Sequence, residues 1–252
     1  MPYAFRIDHH QLRKNLTIAV AQPGCAAGDV AVNAARHAML VRAAQTRVVV
    51  FPELSLTGYE LADAPVVDPG DEDLAPLQRA CAEAGCVALA GAPVAGPAAR
   101  PSIGVLAISA AGVRVAYRKL WLGAEESDRF DPGTEPQVLQ VDGWRLGLGV
   151  CKDTGTRRQV LDTAGLGMHV YVAGLVMLPA EREEQRRRAR SIATEFGVFV
   201  AFASFAGPTG SGYEQTAGCS GIWDRGGATL ADVGAEVDQL ARAELRATMP
   251  GQ

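Results

Sequence analysis

The chain has 252 residues, 48% of them hydrophobic and 21% charged, with a formal net charge of −4. That apolar content and low charge exclude disorder for most of its length and allow one large domain or two small ones. With 24 Lys and Arg against 28 Asp and Glu, it has no positive excess for gripping phosphates, so a nucleic-acid partner is not expected.

The opening residues MPYAFRIDHHQLRKNL place charges and two histidines where a secretory leader would carry an apolar core, so 1–15 reads as a short extension. Strands are expected at 16–21, 47–51, 86–92, 103–109, 113–118, 145–150, 168–175, 197–204, 220–224 and 240–245. Their Val, Ile and Ala runs lack clean alternation, which predicts burial on both faces. A helix is expected over 30–46, with Asp29 as its N-cap and Val32, Ala35, Met39 and Ala43 as one stripe. Two more helices are expected at 72–85 and 180–196. In the last, Glu183–Arg187 and Glu184–Arg188 are i,i+4 pairs, and the run reads as a solvated face or a subunit contact. Stretches 163–180 and 196–213 lack Asp, Glu, Lys and Arg over a membrane-spanning length. Gly, Pro and polar interruptions make them buried strands with their turns rather than membrane helices. The alternation as a whole predicts one α/β domain, 1–252, with helices packed on sheets.

No phosphate loop, dinucleotide fingerprint or serine elbow is present, so neither a nucleotide cofactor nor a common serine hydrolase site is supported. Cys81 and Cys86 are not spaced as a zinc knuckle, and His9, His10, His37 and His169 do not pair with them at ligand spacing, so no metal is expected. The five cysteines (Cys25, Cys81, Cys86, Cys151, Cys219) do not form a disulfide framework, which points to a reducing cytoplasm.

Three apolar strands end in reactive side chains. RVVVFPE delivers Glu53, VRVAYRK delivers Lys119, and RLGLGVC delivers Cys151. Singly, each is ordinary: a solvated turn carboxylate, a solvated ammonium, a small buried hydrophobe. Together they place a base, a cation and a nucleophile at strand ends, where open α/β sheets bind ligands.

Those segments resemble the nitrilase, or carbon–nitrogen hydrolase, superfamily, in its amidase-like branch. FPELSLTGY is similar to the family's catalytic-Glu segment, YRKLWLGAEESDRFDPG to its catalytic-Lys segment and GLGVCKD to its catalytic-Cys segment. TIAVAQPG near the start and SGIWDRGGATLA near the end also match, so the resemblance runs in order from about residue 16 to 246. It implies a four-layer αββα sandwich that associates as a homodimer or a higher homo-oligomer. It also implies cofactor-independent hydrolysis of a small linear amide or N-carbamoyl compound. Cys151 would attack the carbonyl, Glu53 would move protons, and Lys119 with the Lys152 backbone N–H would hold the oxyanion. By the same resemblance Glu126, four residues before Phe130, positions substrate or steers the amine group; Glu125 reads as its surface neighbour, and Tyr59, from the same loop as Glu53, as a candidate pocket wall.

The segment after the nucleophile departs from the family. Asp153 is retained, but Lys152 replaces an aromatic and the usual Phe-Pro-Glu is missing. Lys152 could lower the Cys151 pKa, bind a substrate carboxylate or point to solvent. The departure argues against a nitrile substrate. Acyl transfer to an amine and a non-catalytic binding role remain as alternatives. A Cys–His hydrolase would need His169, whose apolar setting reads as a core strand position.

Overall fold

The computed structural model describes residues 13–247. His9, His10 and most of the expected N-terminal extension lie outside the described residues.

Two six-stranded sheets form the centre. The first runs in the order β12 (Gln239–Leu245), β1 (Leu16–Gln22), β2 (Val48–Val50), β3 (Val87–Val94), β4 (Ser102–Ser109), β5 (Gly112–Arg118). The second runs β11 (Thr229–Asp232), β10 (Gly221–Trp223), β9 (Phe199–Ser204), β8 (Val170–Leu175), β7 (Trp144–Val150), β6 (Val138–Val141). Each sheet has a parallel centre, β1–β2–β3 or β7–β8–β9, flanked by antiparallel strands.

The period of two along each strand builds the layers. In β1, Ile18 and Val20 face the second sheet, and Ala19 and Ala21 face helices α1 (Val30–Ala44) and α2 (Ala75–Ala84). In the second sheet, Val170 and Val172 face inward, while Tyr171 and Ala173 pack with α4 (Arg157–Gly165) and α5 (Arg182–Phe196). A one-turn α3 (Lys152–Gly155) leads into α4. The four-layer αββα sandwich is therefore present. The central strands β2, β3, β8 and β9 are buried almost throughout, whereas the edge strands β5 and β11 are partly exposed.

Several local expectations need correction. Asp29 does cap α1, accepting from the Val32 N–H at 2.9 Å. The expected stripe does not face the core: Val32 and Met39 are 40% and 61% exposed, and the buried face carries Val30, Ala34, His37, Ala38, Val41 and Ala44. Alanines occur on both faces, so apolar spacing alone did not choose between them. On α5, Glu184 pairs with Arg187 and Arg188, and Glu183 pairs with Arg186 rather than Arg187. Gly197 ends that helix in a left-handed conformation instead of opening the next strand. Strands β6 and β11 and helix α4 were not expected as elements from the apolar pattern. Stretches 163–180 and 196–213 contain β8 and β9, and among the described residues no helix is long and apolar enough to cross a membrane.

Candidate active site

Glu53 arrives from the end of β2. Pro52 has no N–H to continue the ladder, so the strand stops and the chain turns. Both neighbouring sheets close tightly on this segment. A Cβ on Gly174 of β8 would stand 2.6 Å from Glu53 N, and one on Gly91 of β3 would stand 2.7 Å from the Pro52 carbonyl oxygen. Glycine at both positions is what lets the Glu53 segment sit between the sheets. Behind it, the buried His37 ring meets Ser55 Oγ at 2.8 Å and the Asn33 carbonyl at 2.6 Å. Burial pushes the His37 pKa down to about 4.

Lys119 follows β5, its N–H donating to the Ile103 carbonyl at 2.8 Å. Its side chain is 1% exposed, and Nζ donates to Glu53 Oε1 and to Glu126 Oε1, both at 2.7 Å. Glu126 also accepts from the Tyr59 hydroxyl at 2.6 Å and, through Oε2, from the Gly123 N–H at 2.6 Å. Tyr59 is thus a partner of Glu126, and its ring meets Tyr213 edge-on at 5.2 Å. Glu125 is exposed, as expected of a surface neighbour.

Cys151 follows β7. Its N–H extends the ladder to the Gly174 carbonyl at 3.0 Å, and its backbone then adopts φ 40° and ψ −97°. A side-chain-bearing residue pays about 1–3 kcal/mol for such a conformation, so surrounding contacts must enforce it. The Cys151 carbonyl accepts from Thr154 N–H at 3.0 Å and Thr154 Oγ1 at 2.7 Å, and Sγ donates to the Val176 carbonyl at 3.4 Å.

The electrostatics bind these three strand ends into one cluster. Burial raises the Glu53 pKa to about 7; Lys119 pulls it down, and the Glu126 and Asp153 carboxylates push it up. Burial works against the Lys119 ammonium, but Glu53, Cys151 and Glu126 hold its pKa above the usual lysine value. Burial opposes Glu126 ionisation too, yet Lys119, Tyr59 and the Gly123 N–H keep its pKa low. The Cys151 thiol is raised to about 12 by burial and by Glu53, with Lys119 opposing. One Glu53 oxygen is tied to Lys119, and the other, Oε2, is buried with no hydrogen-bond partner among the described residues.

Of the residues singled out from sequence, Glu53, Lys119, Glu126 and Tyr59 form one hydrogen-bonded group, and Cys151 lies within reach of the Glu53 and Lys119 charges. The Lys152 side chain is exposed and its ammonium donates to the Leu122 carbonyl at 2.6 Å. His169 stands elsewhere. It is half-buried and immediately precedes β8, at the end of the β7–β8 pair opposite Cys151, which corrects its reading as a core strand position. Its Nδ1 accepts from the Arg145 N–H at 3.0 Å.

Sequence reasoning gave no role to Asp153 and did not single out Tyr117 or Tyr213. The signal for Asp153 was its place two residues after Cys151. Tyr213 lies in a Gly-rich loop without periodicity. Among the described residues no group of three or more His, Cys, Asp or Glu side chains is arranged to hold a metal ion.

The carbon–nitrogen hydrolase family model matches residues 17–249. No curated protein matches the chain. Among solved structures, the chain is similar to an alanine mutant of the amidase from Nesterenkonia sp. AN1 in complex with butyramide. The identity is 23% over 92% of this chain and 91% of that one, with a TM-score of 0.82. It is also similar to Saccharomyces cerevisiae Nit3, a member of branch 10 of the nitrilase superfamily, at 20% identity over 93% and 91% of the two chains, with a TM-score of 0.82. A third likeness is to a mutant of the same amidase carrying the acetamide moiety of fluoroacetamide on its active-site cysteine. Here the identity is 22%, over 92% and 91%, with a TM-score of 0.82. These likenesses share the fold described above, and the family match spans nearly the whole chain: the protein belongs to the carbon–nitrogen hydrolase family.

Proposed function

We propose that the protein hydrolyses a small linear amide or N-carbamoyl compound through a thioester on Cys151. The observation that carries this reading is the buried Glu53 Oε2, unpartnered among the described residues, whose charge acts on a thiol that is neutral on its own at physiological pH. A thiol with a pKa near 12 needs a base, and a carboxylate with a pKa near 7 is matched to that task.

In this reading Glu53 Oε2 takes the thiol proton as Sγ attacks the carbonyl carbon. The C=O electron pair moves to oxygen, where the Lys119 ammonium and the Lys152 backbone N–H stabilise the charge. The tetrahedral adduct collapses, the C–N bond breaks, and the amine leaves with the proton from Glu53. Glu53 then takes a proton from water, the resulting hydroxide adds to the thioester, and collapse releases the acid while the thiol recovers its proton. Glu126 holds the ammonium together with Glu53 and positions substrate, and Tyr59 holds Glu126. No cofactor enters this scheme. Acyl transfer differs only in the second acceptor.

The likeness to an amidase bound to butyramide supports short aliphatic amides as first probes. We further propose a single domain over 1–252, a homodimer and a cytoplasmic location. The odd count of five cysteines, without the spacing of a disulfide framework, supports a reducing compartment. The test is ammonia release from a panel of small amides and N-carbamoyl compounds by the wild type and Cys151→Ala. Turnover by the wild type that vanishes in the variant, with unchanged circular dichroism, supports the reading. Retained turnover in the variant rejects it.

A further inference from the structure

The nucleophile and the cation sit on different sheets, so something must fix the distance between them. We propose that Asp153 is a positioning residue: its carboxylate straps the Cys151 turn of the second sheet to the Lys119-bearing strand end of the first. This rests on the catalytic reading of Cys151 and Glu53 given above.

Asp153 is fully buried. Its Oδ2 accepts from the Val150 N–H at 3.0 Å, immediately before the nucleophile, and from the Tyr117 hydroxyl at 2.8 Å, on β5. Its Oδ1 accepts from the Trp121 N–H at 3.0 Å, two residues after Lys119. One side chain therefore joins the residue before Cys151 to residues on both sides of Lys119. The Tyr117 hydroxyl in turn accepts from Gln159 Nε2 at 3.2 Å, and Gln159 Oε1 accepts from the Tyr171 hydroxyl at 2.6 Å, so the strap is anchored in α4 and β8. The Lys152 ammonium on the Leu122 carbonyl makes a second, exposed tie between the same two segments.

A neutral residue could supply only part of this. Three donors converge on one carboxylate, and a carboxamide would point its own N–H groups at one set of them. The charge also matters to the neighbours. Lys119, Tyr117, Tyr171 and Glu53 face Asp153. Lys119, Glu126, Cys151, Tyr59, Tyr213 and Asp153 face Glu53. Burial raises Asp153 to about 6, with Lys119 and the three donors opposing, so it is ionised at neutral pH and repels the Glu53 charge.

The test is the rate of Cys151 alkylation by iodoacetamide against pH, followed by peptide mass spectrometry in the full-length protein. It needs no substrate. Glu53 must be ionised to take the thiol proton, so the wild-type rate rises through an inflection near the Glu53 pKa and reaches a plateau. In Asp153→Asn the plateau falls about tenfold or more, the equivalent of one lost hydrogen bond to a charged group. The inflection also moves down by about half a unit, because a repelling charge is gone. Asp153→Glu keeps the charge and restores the inflection while the plateau stays reduced. Tyr117→Phe removes one of the three donors and keeps the ring, and lowers the plateau about threefold, a loss within the usual worth of one hydrogen bond.

An unchanged plateau in Asp153→Asn and Tyr117→Phe overturns the proposal. So does a lower melting temperature in Asp153→Asn with the inflection unmoved, the outcome of a merely structural role. A slow, pH-independent wild-type thiol would instead reject the catalytic reading, while the ratio of variant to wild-type rates still tests the strap.

Discussion

Two sets of ion pairs in this molecule have the same length and opposite surroundings. On α5, Glu184 meets Arg187 and Arg188 at 2.7 Å with side chains 22–69% exposed. In the interior, Lys119 meets Glu53 and Glu126 at 2.7 Å with side chains 0–3% exposed. In water the first set gains little, because solvent screens the charges and ordering long side chains costs entropy. In the interior the second set has lost its hydration, and each charge depends on the others for compensation. Distance alone therefore says nothing about importance. Burial turns one set into a solvated surface and the other into a site with a carboxylate pKa moved to about 7.

Breaking the buried set gives the largest effect. Lys119→Met leaves Glu126 and Glu53 facing each other without a cation. We expect a stability loss of about 3–5 kcal/mol in urea denaturation and a fall in kcat of about 10²–10³ for the loss of oxyanion support. Glu53→Gln keeps the shape and removes the base, so kcat falls about 10²–10⁴ while the melting temperature holds or rises. Next comes the pH dependence of stability, measured from pH 4 to 7 by denaturant titration. His37 has a folded pKa near 4, below its unfolded value of 6.5, so its contribution is intact above 6.5 and is lost as pH falls toward 4. The loss is on the order of 3 kcal/mol, and His37→Gln should remove that component of the acid slope.

A smaller step is Tyr59→Phe, which takes one hydrogen bond from Glu126. It should lower kcat/KM about tenfold with the fold intact. The smallest change is Glu184→Ala on α5, expected to shift stability by no more than about 0.5 kcal/mol and to vanish in high salt. An effect there as large as at Lys119 would undo the contrast between the two regions.

The sequence exposed the strand ends well, for a physical reason. β2 and β7 are buried apolar runs that stop just before Pro52 and at Cys151, while β5 is a half-buried edge strand whose alternating valines and tyrosine still end clearly at Lys119. The family resemblance supplied what those ends do together. Short or polar elements escaped. β6 and β11 have four residues each, and α4 carries Arg157, Arg158, Gln159 and Asp162 with little apolar signal. α1 was found, but its face was reversed, because its small alanines give no contrast and its buried face includes polar Asn33 and His37. The Asp153 strap escaped for a different reason. Its partners on β5, α4 and β8 are far apart along the chain, and a tertiary hydrogen-bond network leaves no periodic trace.

The most direct test of the central claim is stoichiometric labelling. Limiting iodoacetamide is added at neutral pH, and occupancy at Cys25, Cys81, Cys86, Cys151 and Cys219 is mapped while amide turnover is followed. We predict that label enters Cys151 first and that activity falls in proportion to its occupancy, with the other four cysteines unmodified. Full turnover with Cys151 completely labelled, or loss that tracks another cysteine, would contradict the account.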